Sequence, residues 1–234
     1  MNFKFAVIGG GAWGTAIANL LARLENSSVV IWAQEKEVVG EINSKNKNSL
    51  FLKDIVLEKN IYATEKLSEA IAPFIFYVTP AQNFREIISA HKKFIDKKCE
   101  IVICSKGIEI SSGKLLSDII NSILPNINYY ILSGPSFAHE VANNKPAALV
   151  ISSKNIKNSI KVSNYISSKN FRLYPSDDII GVQLGGAIKN IYAISSGIVS
   201  GLNYGENAVA AILTRAISEM VRISIALGGN KESI

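Results

Sequence analysis

Cysteine and histidine are scarce in this chain, which has two residues of each type among its 234. Cys99 and Cys104 are too few to make a disulfide framework, so we expect both to be free thiols in a reducing, cytoplasmic setting. His91 and His139 add no metal-ligand spacing, and we therefore predict no metal site. The first residues form a strand pattern and show no basic, then apolar, leader, so we expect no signal peptide.

Acidic residues are outnumbered, since 25 Lys and Arg against 19 Asp and Glu give a formal charge of +6. The densest basic group, at positions 92–98, flanks a predicted helix end and has no interleaved aromatic pattern. We therefore interpret it as a solvated face and predict no nucleic-acid partner. A moderately basic surface would attract a small anionic substrate such as a phosphate ester.

Charge is nearly absent between Asp178 and Glu206, where Lys189 is the only charged residue. A stretch of this length is close to what a membrane-spanning helix needs. Lys189 and Asn190 would be costly at the centre of a bilayer, and glycines interrupt the run. We therefore predict no membrane span.

Two interpretations of Lys189 are about equally supported by its own surroundings. Burial disfavours the charged form of a lysine, which would make it available for proton transfer near neutral pH and thus a candidate catalytic group. Alternatively, its stem lies along an apolar helix edge while the ammonium group reaches water. The N-terminal part of the sequence favours the catalytic interpretation.

A glycine motif follows the first apolar strand, at residues 5–8. Positions 9–14 fit G-x-G-x-x-G and precede a helical pattern, after which a second apolar strand begins. In such a unit Gly9 permits the tight turn, Gly11 lets the backbone approach a pyrophosphate, and Gly14 lets helix and strand pack closely. The helix N-terminus favours the phosphate charge. The pattern predicts a dinucleotide-binding unit.

Cofactor choice is predicted from the end of the second strand, where an acidic side chain would bind the ribose hydroxyls of NAD. Gln34 stands near that position and is neutral, so it neither holds a diol as a carboxylate would nor repels a 2′-phosphate. Glu35 could still reach the ribose, and Lys36 could meet a phosphate. We expect NAD or NADP, with a preference for NADP.

Strand and helix patterns alternate through the first 175 residues or so, which predicts an α/β fold with a mostly parallel, doubly wound sheet. Predicted strands lie at 5–8, 28–32, 74–78, 100–104, 129–132, 147–151 and 171–174, and predicted helices at 16–24, 36–43, 82–91, 112–123, 136–143 and 155–167. Beyond Asp177 or Asp178, which can cap a helix, the pattern is helical to about residue 227. We predict a dinucleotide-binding domain at 1–176 and a helical domain from 177 to 234.

Two segments that follow predicted strands are candidates for ligand binding, because ligands of such sheets lie beyond the carboxyl ends of the strands. Lys106, in Ser105–Glu109, would point into the cleft. Ser136, in Ser133–Ala138, would begin a helix whose backbone donors could hold an anion. Taken singly, an exposed loop lysine and an ordinary helix cap are the simpler interpretations.

Together these segments resemble one family, the bacterial-type NAD(P)-dependent sn-glycerol-3-phosphate dehydrogenases. The resemblance rests on four motifs in order: 9–16, 105–109, 133–138, and 180–190 with its continuations at 205–207 and 213–215. It covers essentially the whole chain. It implies a Rossmann-type domain followed by an all-helical domain, and interconversion of glycerol 3-phosphate and dihydroxyacetone phosphate for phospholipid synthesis.

The resemblance also implies roles for single residues. Lys189 matches the proton acceptor, and Asn190 would orient substrate or cofactor. Further positions match cofactor contacts at Ala12, Trp13, Gln34 and Ala138, substrate contacts at Gly134 and Ser136, and a contact with both at Lys106. A homodimer is compatible with this resemblance.

Departures from the family pattern limit what the resemblance implies. Ser195 replaces a usual Gly or Ala, and Ser200 stands where an acid is usual. The family continues well beyond Ile234, through Gly-Leu-Gly-Asp-Leu and Ser-Arg-Asn segments that hold substrate, so the helical domain is expected to be incomplete. The alternative is therefore a truncated, catalytically inactive remnant that still binds a dinucleotide. Another Rossmann dehydrogenase acting on a different hydroxy acid is disfavoured by the motifs at 105–109 and 133–138.

Overall fold

The computed structural model describes residues 3–233, which form one eight-stranded sheet with helices on both faces and a helical hairpin after the last strand. The strands are β1 (Phe5–Ile8), β2 (Val29–Trp32), β3 (Ile61–Thr64), β4 (Phe74–Tyr77), β5 (Glu100–Ile103), β6 (Asn128–Ser133), β7 (Ala147–Ser152) and β8 (Phe171–Ser176). The helices are α1 (Ala12–Ala22), α2 (Lys36–Lys45), α3 (Phe84–His91), α4 (Leu116–Ile123), α5 (Ala138–Ala142), α6 (Ile156–Ile166), α7 (Ile179–Gly201) and α8 (Glu206–Ala226). Short 3-10 helices lie at Leu67–Glu69, Ala81–Asn83, Lys92–Phe94 and Lys231–Ser233.

The strand order is β3-β2-β1-β4-β5-β6-β7-β8, and β1 to β6 pair in parallel. β1 and β2 are buried along their whole length, as expected for strands covered by helices on both faces. Apolar side chains form a core layer on each face of the sheet. The strand order reverses between β1 and β4. In open α/β sheets the ligand cleft forms at such a switch point. The predicted doubly wound sheet is confirmed.

Several local features differ in detail from the sequence pattern. The sequence pattern missed β3, a short strand at the sheet edge. The predicted helix at 112–123 begins only at Leu116, because the preceding residues form a turn closed by a bridge between Ile108 and Leu115. The helical stretch that follows β8 is two helices, since the chain reverses at 202–205, where Gly205 has a φ of +83° that a side chain would resist.

The helical hairpin is joined to the sheet domain by buried polar contacts. Asp178 caps α7 by accepting a hydrogen bond from the Gly181 backbone N at 2.8 Å, as predicted, and accepts a second from the Asn230 backbone N at 2.8 Å. Gln183 and Ser117 form a reciprocal pair between α7 and α4 at 3.1 and 2.9 Å. The domain division at 176 stays a prediction. Within residues 3–233, no helix is both long and apolar enough to cross a membrane.

The exposed face of the hairpin is rich in apolar side chains. Ile191, Ile194 and Ile198 are spaced along one side of α7 and are each more than half exposed. Along α8, only Ala216 and Ser224 are buried. The sheet domain therefore supplies most of the core.

A buried histidine gives the fold a pH dependence that we can predict. His91 is fully buried, and its Nδ1 lies 2.7 Å from the Tyr77 hydroxyl. Burial lowers the pKa of His91 from 6.5 to about 4, partly offset by the Ala70 and Leu67 backbone. As pH falls below 6.5, the unfolded chain gains a proton that the folded chain does not. The free energy of unfolding should therefore drop by about 2 kcal/mol between about pH 6.5 and pH 5.

Urea unfolding followed at several pH values checks this expectation. His91→Gln removes the titrating group, so the part of the pH slope above about pH 5 should disappear in that variant. His139→Asn, at an exposed position, is the matched control and should keep the slope. An identical slope in wild type and His91→Gln would contradict the assignment.

Candidate active site

The main cleft has a volume of about 740 Å³ and lies at the carboxyl ends of β1, β2, β4 and β5. Its walls are formed by Gly9–Gly14, Trp32, Gln34, Glu35, Phe51, Val78–Pro80, Asn83, Ile87, Cys104–Lys106 and Ser136–Ala138. All eight predicted cofactor positions are therefore in its wall: Gly9, Gly11, Ala12, Trp13, Gly14, Gln34, Lys106 and Ala138. Both tryptophans of the chain also line it, which provides a spectroscopic probe.

The glycine loop has the geometry that close approach of a diphosphate requires. Gly9 has a φ of +128°, and a Cβ on Gly14 would lie 1.8 Å from the Gly9 carbonyl oxygen, so α1 packs directly on the turn. A Cβ on Gly11 would meet nothing within 4 Å, so its backbone is open to the cleft. The first turn of α1 supplies backbone N–H donors beside this opening. The loop fits a dinucleotide phosphate.

A buried network that sequence reasoning missed supports this loop. The Asn48 side chain is buried and donates to the Gly10 carbonyl at 2.8 Å and to the Thr15 hydroxyl at 2.7 Å. Its Oδ1 accepts from the Phe51 backbone N at 3.3 Å, which brings the Phe51 ring into the cleft wall. In the sequence both residues stand in a polar loop with no periodic signal.

The buried hydroxyl of Thr79 is a further feature of the cleft that the sequence did not reveal. Thr79 follows β4, is 5% exposed, and its Oγ1 has no hydrogen-bond partner among residues 3–233. A buried hydroxyl without a partner is costly, so such a group at a cleft commonly serves a ligand. Together with the open Gly11 backbone, it makes the cleft fit for a dinucleotide.

Two lysines meet at the inner end of the cleft. Lys106 follows β5, is half-buried, and donates from Nζ to the Gly134 carbonyl at 3.1 Å. The ammonium group of Lys189, on α7, lies beside it. Burial, and secondly the charge of Lys189, lower the pKa of Lys106. A close pair of cations forms a site for an anionic substrate.

A close helix contact brings α7 to this position. A Cβ on Gly186 would lie 2.4 Å from the Ser133 Oγ and 3.7 Å from the Lys106 Cγ. Lys189 is three residues further along the same helix face and so projects toward Lys106. Only tertiary packing creates this pair.

Of the predicted substrate positions, Lys106, Gly134 and Lys189 are therefore brought together, and Ser136 lines the adjoining cleft. Asn190 is exposed on α7 and does not line the cleft. The expectation that Ser136 begins a helix is wrong, because α5 begins at Ala138 with Phe137 at its N-cap. Phe137 is itself extended, with φ −92° and ψ 126°, so the helix cannot begin before Ala138.

The fold and the site define a class: a Rossmann-type dinucleotide-binding protein with a lysine pair beside its cofactor cleft. Profiles described as NAD-dependent glycerol-3-phosphate dehydrogenase N-terminus and C-terminus match residues 4–159 and 178–234. The chain belongs to the NAD-dependent glycerol-3-phosphate dehydrogenase family.

Named relatives agree with this membership. The chain is 41% identical to glycerol-3-phosphate dehydrogenase, NAD(P)+, of Erythrobacter litoralis, over 100% of this chain and 70% of the relative. It is 43% identical to the protein of that name from Paramagnetospirillum magneticum, over 99% of this chain and 84% of the relative. The crystal structure of glycerol-3-phosphate dehydrogenase from Coxiella burnetii superposes with a TM-score of 0.92 at 35% identity, covering 99% of this chain and 71% of that one.

Proposed function

We propose that this chain is an oxidoreductase that interconverts sn-glycerol 3-phosphate and dihydroxyacetone phosphate with NAD(P)(H), in the cytoplasm and for phospholipid synthesis. The observation that carries the proposal is the Lys106–Lys189 pair at the inner end of a dinucleotide cleft. Family membership and the names of the relatives support the substrate pair. A homodimer is compatible with this function.

Each site residue of this chain has its own role in the proposed reaction. In the oxidation direction, neutral Lys189 accepts the proton of the substrate's secondary hydroxyl at its Nζ as the C–O bond becomes a carbonyl; in reduction its ammonium returns that proton. A nicotinamide cofactor held by the glycine loop would supply the hydride chemistry at the secondary carbon. Lys106 holds the substrate oxygens electrostatically, with Gly134 and Ser136 beside it.

Cofactor contacts come from the glycine loop and the walls around it. Gly9, Gly11 and Gly14 shape the phosphate site, while the Ala12 and Trp13 backbone offers donors at the N-terminus of α1. The remaining cofactor positions are Gln34, Lys106 and Ala138. We propose a preference for NADP because Gln34 is neutral. A carboxylate at this position beside the ribose would repel a 2′-phosphate.

The first experiment is oxidation of NADH and NADPH by the purified chain with dihydroxyacetone phosphate. Dihydroxyacetone without the phosphate is the matched control substrate. Turnover with the phosphate ester alone supports the proposal, and quenching of Trp13 and Trp32 fluorescence by each cofactor measures the NADP preference. Failure to bind either cofactor would exclude the dehydrogenase.

Cofactor binding without turnover would support the alternative, a catalytically inactive remnant that binds a dinucleotide. The observation that favours this alternative is the exposed apolar face of α7 and α8, because α7 also carries Lys189. The same fluorescence and turnover measurements therefore separate the two functions.

A further inference from the structure

The loop that carries Lys106 is clamped, on both sides of Ile108, to the 3-10 helix Ala81–Asn83 that precedes α3. The Gln82 side chain donates to the Ile108 carbonyl at 2.9 Å, and its Oε1 accepts from the Ile110 backbone N at 2.9 Å. Between Lys106 and Ile108, a Cβ on Gly107 would lie 2.8 Å from the Ala81 Cβ. The loop therefore lies directly against this 3-10 helix.

An ion pair completes the clamp one residue beyond Ile108. Glu109 is buried and receives the Arg85 guanidinium through two hydrogen bonds of 2.7 Å each, and the Ser112 hydroxyl also donates to it. These bonds lower the pKa of Glu109 to about 2, with Arg85 the largest cause. Two parallel N–H···O bonds fix orientation as well as distance, which a single-point contact would not do.

Lys106 occupies an unfavourable position that the clamp can maintain. It is half-buried beside a second cation, Lys189, and apart from Cys104 no other titratable group has a marked influence on it among the residues described. Repulsion by Lys189 and the loss of hydration on burial both favour movement of the Lys106 ammonium group into water. The hydrogen bond from its Nζ to the Gly134 carbonyl has a neutral acceptor. A side chain stays in such an unfavourable position only where the surrounding contacts hold it there.

We propose that the Arg85–Glu109 ion pair and Gln82 form a positioning device that holds the Lys106 ammonium beside Lys189 at the substrate end of the cleft. The role of Lys106 toward substrate rests on the proposed function; the placement itself does not. Arg85 and Glu109 act through the loop and touch neither substrate nor cofactor in this scheme.

Titration of Lys106 in the cofactor-free chain tests the device. Lysines are labelled by reductive ¹³C-methylation, and the Lys106 signal is assigned by its loss in Lys106→Arg. In Glu109→Gln we expect its titration midpoint to rise toward that of exposed lysines, because the freed ammonium moves into water. A purely electrostatic role would lower the midpoint instead, because a nearby negative charge has been removed. The two explanations thus predict shifts of opposite sign.

Gln82→Ala repeats the test without changing any charge. Gln82 is exposed, so this variant should fold, and the Lys106 midpoint should rise as in Glu109→Gln. Glu69→Gln breaks an exposed ion pair with Lys66 elsewhere and should leave the midpoint unchanged. An unchanged or lowered midpoint in folded Gln82→Ala would overturn the proposal, whether or not Glu109→Gln folds.

Kinetics provide a separate measurement if the chain turns over. Loss of the Lys106 contact should raise KM for dihydroxyacetone phosphate roughly tenfold in Gln82→Ala, in line with a lost charge-assisted hydrogen bond. Thermal melting monitors the fold. Absent turnover would count against the proposed function alone, since the titration needs no substrate.

Discussion

Gly14→Ala is expected to abolish detectable dinucleotide binding and to destabilise the chain. The added Cβ would lie 1.8 Å from the Gly9 carbonyl oxygen, which is backbone and cannot rotate away. The start of α1 must then move off β1, taking with it the N–H donors that face the phosphate. Overpacking of this kind costs roughly 1 to 3 kcal/mol in unfolding free energy. Quenching of tryptophan fluorescence measures binding, and urea unfolding measures stability.

Two other glycines serve as matched controls. Gly11→Ala adds a Cβ with nothing within 4 Å, so it should keep stability and weaken only cofactor binding, because its backbone faces the phosphate site. Gly40→Ala, in α2, also adds its Cβ to open space. It should leave binding unchanged and stabilise the helix by up to about 1 kcal/mol. Equal binding by wild type and Gly14→Ala would mean that the loop does not hold the cofactor as proposed.

Lys189→Met is expected to lower kcat by roughly 10²- to 10⁴-fold, the range found when a positioned acid–base group is lost. The variant keeps most of the apolar stem, so the packing of α7 should survive. Cofactor affinity should stay near that of wild type, because Lys189 is not in the cleft wall. Cofactor oxidation with dihydroxyacetone phosphate measures the first expectation, and tryptophan quenching the second.

Lys161→Met, at an exposed position on α6, controls for general loss of a positive charge and should not change kcat. A second readout needs no turnover. Removing the neighbouring cation should raise the pKa of Lys106, since the charge of Lys189 is one cause of its lowering. Undiminished turnover in Lys189→Met would exclude Lys189 as the proton acceptor.

Local pattern was sufficient for most of the sheet. Seven of the eight strands are visible in the sequence. Six are mostly apolar runs, as strands covered on both faces require, and β8 alternates buried and exposed positions. β3 was missed because it is a four-residue edge strand with one exposed position, Tyr62, and has no such run. The turn at 202–205 contains Asn203 and Gly205, which are turn signals, but the apolar pattern on both sides obscured them.

The direction of β7 could not be read from its residues. β7 is apolar like its neighbours, yet it pairs antiparallel with β6 while β8 pairs parallel with β7. Strand direction depends on how the chain returns between strands, and α5, the five-residue helix in that connection, was predicted longer and two residues earlier than it lies. The antiparallel pairing of β7 with β6 therefore depends on the fold of the whole sheet and not on the residues of β7.

For the site, the amino-acid sequence by itself determined the glycine loop, the neutral Gln34 and the presence of one lysine in an otherwise uncharged segment. These depend on residue type and close spacing along the chain. Only the tertiary structure decided that Lys189 meets Lys106, that Asn48 supports the glycine loop, and that Arg85 reaches Glu109. The physical reason is that each of these contacts joins segments far apart in sequence, and their approach depends on packing such as that at Gly186, which no local pattern encodes.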